Sequence, residues 1–155
     1  MQVSFRRLAT LSVQMRPVVM WYRPHLGKRF NGDTKVTDML YRCYYSAANG
    51  EDFSGQLKQI KARYNEIIGG LNLKLSLDHE FEVIAKQFEE KAGSDYAASR
   101  GEYLNGIIMA NYLGFPFVDS AEVIRFDKHG EFDADTTNKL MEKKLAELEK
   151  AVIPG

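Results

Sequence analysis

The run from Ser99 to Leu113 constrains the fold more than any other stretch of the chain. Leu104, Ile107, Ile108 and Leu113 recur near helical spacing, which predicts a helix with one buried face. Ser99 and Glu102 have the spacing of an S-x-x-E capping box and set the expected helix start at Ser99. Gly101 then falls inside the first turn, at a cost of roughly 1 kcal/mol relative to Ala. A missing side chain there would open the helix N-terminus to a close-approaching ligand. A carboxylate beside bare backbone N–H groups suits a zwitterion: the N–H groups take its carboxylate and Glu102 its ammonium. Plain capping, with no ligand, fits the same residues.

Helical periods separated by breakers precede this run. Asp33 or Thr34 can cap a helix whose face holds Val36, Met39, Leu40, Cys43 and Tyr44, ended by Asn49-Gly50. A second helix is expected from about Ser54 to Ile68, with Leu57, Ile60, Tyr64, Ile67 and Ile68 inward. Lys58, Lys61 and Arg63 are read as outward, and Gly69-Gly70 as the stop. A third helix, capped by Ser76 or Asp78, carries Phe81, Val83, Ile84 and Phe88 on its apolar side. Asp78, Glu80, Glu82, Glu89 and Glu90 read as a solvated face of that helix. After Gly114-Phe115-Pro116, Phe117-Val118 reads as a short buried strand, Ser120 to Arg125 as a turn or short strand, and Lys128-His129-Gly130 as a tight turn. Ala134 to Lys150 reads as an amphipathic helix, and Ala151 to Gly155 as the start of a strand. Helices dominate, as in the α-rich part of an α/β domain.

Ser99-Arg100-Gly101-Glu102 followed by a small, apolar helix resembles the S-x-G-E helix of the aspartokinases, members of the amino-acid kinase family. Upstream, Gly27-Lys28-Arg29-Phe30-Asn31-Gly32-Asp33-Thr34-Lys35-Val36-Thr37 resembles the loop and helix start after that family's second strand. With Phe115-Pro116-Phe117-Val118-Asp119, the resemblance covers roughly residues 27–155. It implies an α/β fold, here a helix-dominated fragment of the three-layer α/β/α amino-acid kinase (carbamate-kinase-like) fold. It implies transfer of a phosphoryl group from Mg-ATP to the side-chain carboxylate of L-aspartate in the cytoplasm, by a homo-oligomeric enzyme. Thr37 would then hydrogen-bond the aspartate and Glu102 would hold its ammonium; no catalytic residue, nucleotide-binding residue or metal ligand carries over. The family's K-x-G-G strand, its R-G-G-S-D nucleotide-binding region and its ACT domains have no counterpart in these 155 residues. Nor does a G-x-x-x-x-G-K-[ST] or G-x-G-x-x-G phosphate cradle occur. The chain by itself is therefore expected to be inactive, with residues 27–155 a partial catalytic domain that carries the helical, substrate-binding part.

Residues 1–26 do not fit. Arg6, Arg7, Arg16, Arg23, Lys28 and Arg29 precede the first acid, although the whole chain is neutral, with 21 basic and 21 acidic residues. Such an arm suits nucleic acid or an organellar presequence. The codons of Met20 to Leu26, read one base back, permit Tyr-Val-Val-Pro-Ser-Ala-Pro followed by Gly, the strand and turn that the resemblance requires there. An out-of-frame or unstructured segment, with the frame restored near Gly27-Lys28, is the expectation. Neither nucleic acid nor a membrane is an expected partner: no run approaches the ~18 apolar residues of a membrane span. The single Cys43 excludes an internal disulfide, and with His25, His79 and His129 it lacks metal-ligand spacing. A non-catalytic helical interaction module is the competing reading.

Overall fold

The computed structural model describes residues 18–22, 28 and 30–154. Along the chain these form β1 (Val18–Tyr22), α1 (Val36–Ala48), α2 (Ser54–Gly70), α3 (Asp78–Glu89), α4 (Ser94–Leu113), α5 (Ser120–Val123), α6 (Ala134–Leu145) and β2 (Lys150–Pro154). The first four helices pack around one apolar core, in which Val36, Leu40, Cys43, Ile60, Tyr64, Ala97 and Leu104 are completely buried. A smaller core joins Val118, Val123, Leu145, Ala151 and Ile153.

Spacing explains α1: Val36, Leu40 and Cys43 fall on one stripe and are fully buried, with Met39 and Tyr44 packed at its margin. Its cap is Lys35 rather than Asp33 or Thr34, and the Lys35 side chain makes no cap hydrogen bond. The helix stops at Asn49, and Gly50 takes the left-handed conformation at φ 75°. In α2, Gly69 and Gly70 do not stop the helix; it runs through both and ends at Leu71, with Asn72 at φ 52°. Arg63, expected on the outer face, is 5% exposed. In α3, Phe81, Ile84 and Phe88 are buried and the Ser76 hydroxyl accepts the Asp78 N–H at 3.1 Å. Val83 faces outward at 41% exposure, contrary to its expected place.

The expected capping box is not a cap. α4 begins at Ser94, after Gly93, so Ser99 and Glu102 lie inside it. The Ser99 hydroxyl donates to the Tyr96 carbonyl at 2.9 Å, one turn back. Packing explains the longer helix: Ala97 is fully buried and the Tyr96 ring meets Phe88 edge-on at 6.0 Å. That tertiary contact extends the helix past the local start signal.

β1 and β2 are parallel, with Met20 opposite Val152. Val152 also donates to the Pro116 carbonyl at 2.9 Å and accepts from the Val118 N–H at 3.0 Å, so Phe117-Val118 pairs as expected, with β2. Thus β2 has a neighbour on each edge, and Ala151, Val152 and Ile153 are fully buried, as strands covered on both faces are. Gly106 sets the distance between α4 and this sheet: a Cβ there would stand 2.9 Å from Phe117 Cε2 and 3.3 Å from Pro154 Cβ. Where a turn or strand was expected after Ser120, the one-turn α5 forms, because the Asp119 carboxylate accepts the Ala121 N–H. The turn at Lys128-His129-Gly130 closes a hairpin between Phe126 and Phe132, with Gly130 at φ 80°. α6 ends at Leu145, short of the expected Lys150, where β2 begins. β1 lies within the 1–26 segment expected to be out of frame or unstructured; the rest of that segment lies outside the described residues.

Candidate substrate-binding site

The two residues singled out from sequence lie on α1 and α4, helices that pack against each other. Thr37 is in the first turn of α1 and Glu102 is in the middle of α4. Gly101 faces α1 at this crossing. A Cβ at that position would stand 3.8 Å from Leu40 Cδ1 and 4.0 Å from Thr37 Oγ1. Gly101 therefore faces α1 rather than opening a helix terminus. The helix N-terminus at this place is that of α1, not α4 as expected, and its cap residue, Lys35, makes no side-chain cap bond. On α4, Glu102 Oε2 is buried without a hydrogen-bond partner. A buried carboxylate oxygen without a donor is unfavourable unless something supplies one.

The third wall comes from α2. Tyr64 is completely buried, and its hydroxyl donates to the Gly101 carbonyl at 3.1 Å. Burial, and then the negative charge of Glu102 nearby, push its pKa far above the ordinary tyrosine value. At any ordinary pH the hydroxyl is thus a fixed donor. It was read from sequence only as an inward apolar residue. Arg63, the neighbouring residue, reaches the loop before α1: its Nη1 donates to the Thr34 carbonyl at 2.9 Å and lies 3.4 Å from Asp33 Oδ2.

The acidic residues of α3 are less uniform than a solvated face. Glu80 accepts the Tyr103 hydroxyl at 3.0 Å, and Asp78 pairs with Lys61. Burial, the bond to Glu80 and its charge raise the Tyr103 pKa to about 12. The Arg100 guanidinium stands over both the Tyr96 and Tyr103 rings, at 4.5 and 4.4 Å. Cys43 is buried, and desolvation pushes its thiol up to about 11. Among the described residues no group of three His, Cys, Asp or Glu could hold a metal ion, and no helix is long and apolar enough to cross a membrane.

The α1–α4 crossing thus carries the Thr37 hydroxyl facing Gly101, and α4 carries a partnerless carboxylate oxygen at Glu102. The crystal structure of Clostridium acetobutylicum aspartate kinase superposes on this chain with a TM-score of 0.78 and 48% sequence identity. This segment is aspartokinase-like. The match covers 83% of the chain but 30% of that enzyme, so the chain spans less than a third of the relative's length. No family model and no curated protein matches the chain.

Proposed function

We propose that this aspartokinase-like chain carries the L-aspartate-binding part of a kinase that transfers a phosphoryl group from Mg-ATP to the side-chain carboxylate of L-aspartate. The observation that carries this reading is the buried, partnerless Glu102 Oε2, next in sequence to the Gly101 that faces Thr37, on a segment 48% identical to an aspartate kinase. Glu102 accepts from the substrate ammonium. The Thr37 hydroxyl and the first-turn N–H groups of α1 donate to a substrate carboxylate, favoured by the positive end of the helix dipole. The Tyr64 hydroxyl holds the Gly101 carbonyl, and with it the backbone next to Glu102. Phosphoryl transfer of this kind is mostly positioning and charge neutralisation. The described residues supply the positioning of the acceptor. No nucleotide-binding residue is assigned in this chain: neither G-x-x-x-x-G-K-[ST] nor G-x-G-x-x-G occurs in its sequence.

The wider reading is a cytoplasmic, homo-oligomeric enzyme of amino-acid biosynthesis, the first step of the lysine, threonine and methionine pathway. It has the amino-acid kinase fold, with residues 27–155 as its substrate-binding part and residues 1–26 as an out-of-frame reading. The 155 residues alone are expected to bind L-aspartate and not to turn over. Purified protein given Mg-ATP should release no more ADP with L-aspartate than the Glu102→Ala variant does. Aspartate-dependent ADP above that control would contradict the inactive part of the proposal. If Thr37→Ala leaves aspartate binding unchanged, a helical interaction module becomes the better reading.

A further inference from the structure

We infer that Arg63 is a positioning residue: it fixes the start of α1, and thereby the Thr37 hydroxyl, against the Gly101-Glu102 backbone of α4. The segment before α1 begins with a turn in which the Asp33 N–H donates to the Phe30 carbonyl at 3.1 Å and Gly32 takes φ 95°. Asp33 then bends back on the chain, its Oδ1 accepting the Thr34 N–H at 2.9 Å. Its other oxygen lies 3.4 Å from the Arg63 guanidinium, whose Nη1 also donates to the Thr34 carbonyl at 2.9 Å. The side chains of Arg63 and Asp33 are 5% and 12% exposed, so the pair is largely withdrawn from solvent screening.

Two features make this grip consequential. The N-cap residue Lys35 makes no side-chain cap bond, so its own side chain does not set the direction in which the chain enters α1. Thr37 comes only three residues after Thr34, and Val36 between them is fully buried. A guanidinium on α2 therefore determines where α1 begins relative to α4. A lysine at this position keeps the charge but loses the planar fork that serves a carboxylate and a carbonyl together.

The effect on ligand affinity rests on the proposed role of Thr37 and Glu102; the positioning itself does not. The test compares the 155-residue chain with its Arg63→Lys and Arg63→Met variants. Amide hydrogen exchange at residues 34–38 and the nuclear Overhauser contact between Thr37 and Gly101 report position; calorimetric titration with L-aspartate reports affinity. Exchange at those amides should accelerate, and aspartate binding weaken, by about tenfold or more, while exchange across α3 is unchanged. Unchanged exchange with the Thr37–Gly101 contact retained in both variants overturns the inference. If the parent chain binds no aspartate, the reading of the site fails, and the exchange arm still decides the role of Arg63. Should Arg63→Met not fold, Asp33→Asn removes the ion pair while keeping an acceptor for the Thr34 N–H, and it must show the same local acceleration.

Discussion

Two glycines of α4 look alike in sequence and differ in what they permit. At Gly101 an added methyl group meets Leu40 Cδ1 at 3.8 Å and Thr37 Oγ1 at 4.0 Å, ordinary contact distances. Gly101→Ala should leave the melting temperature unchanged or raise it, since Ala favours a helix interior by roughly 1 kcal/mol. At Gly106 the same methyl group stands 2.9 Å from Phe117 and 3.3 Å from the rigid Pro154 ring. Gly106→Ala should cost about 1–3 kcal/mol in urea unfolding, the range for overpacking. Tyr103 gives the alkaline limit. Its folded pKa is raised to about 12 and its neutral form is the one that fits Glu80. The stability it contributes is complete below the ordinary value near 10 and is lost as pH rises through about 12. The urea midpoint should therefore fall across that window, with a smaller fall in Tyr103→Phe. Residues such as Leu40, Ile60 and Phe88 were legible in the sequence because an apolar stripe has one use. Arg63 was not, although it occupies the i+3 place between Ile60 and Ile67 on the buried face. Charge suggested solvent, and only the distant Asp33 and Thr34 make its burial tolerable.

At the scale of elements, helix existence was readable and helix ends were not. α4 starts earlier than its local signal because Tyr96 and Ala97 pack on the helical core. α2 outruns Gly69-Gly70 because the last-turn hydrogen bonds continue to Leu71, whose N–H reaches the Ile67 carbonyl at 3.0 Å. The stop at Gly114 was readable because its cause is local: the residue sits at φ 67° with its N–H bonded to the last turn. Gly114→Ala should destabilise the chain by roughly 1–2 kcal/mol, the cost of a left-handed residue with a Cβ, measured by thermal unfolding. The site shows the same division. Thr37 and Glu102 came from motif resemblance, whereas the crossing that unites them depends on Gly101 facing Leu40 and Thr37 across two helices. No spacing along the chain encodes that pairing, so the helix terminus was first assigned to α4 instead of α1.

For the whole molecule, the helical core and the small sheet meet through α4, which lies against α1 through Gly101 and against β2 through Gly106. The proposed substrate-binding residues, Thr37 and Glu102, stand on helices of the core, and Gly106 seats α4 against the sheet. Among the described residues β1 pairs along one edge only, with β2. The chain corresponds to 30% of the aspartate kinase it superposes on. On the proposed reading the chain is an acceptor-binding unit that recognises aspartate without phosphorylating it. Calorimetric titration of the 155-residue chain with L-aspartate and with succinate, repeated on Glu102→Gln, tests it most directly. L-aspartate should bind saturably, succinate, which lacks the ammonium, should not bind, and the variant should lose at least about tenfold in affinity. Equal affinity of Glu102→Gln and the parent chain, or equal binding of succinate, would contradict that reading.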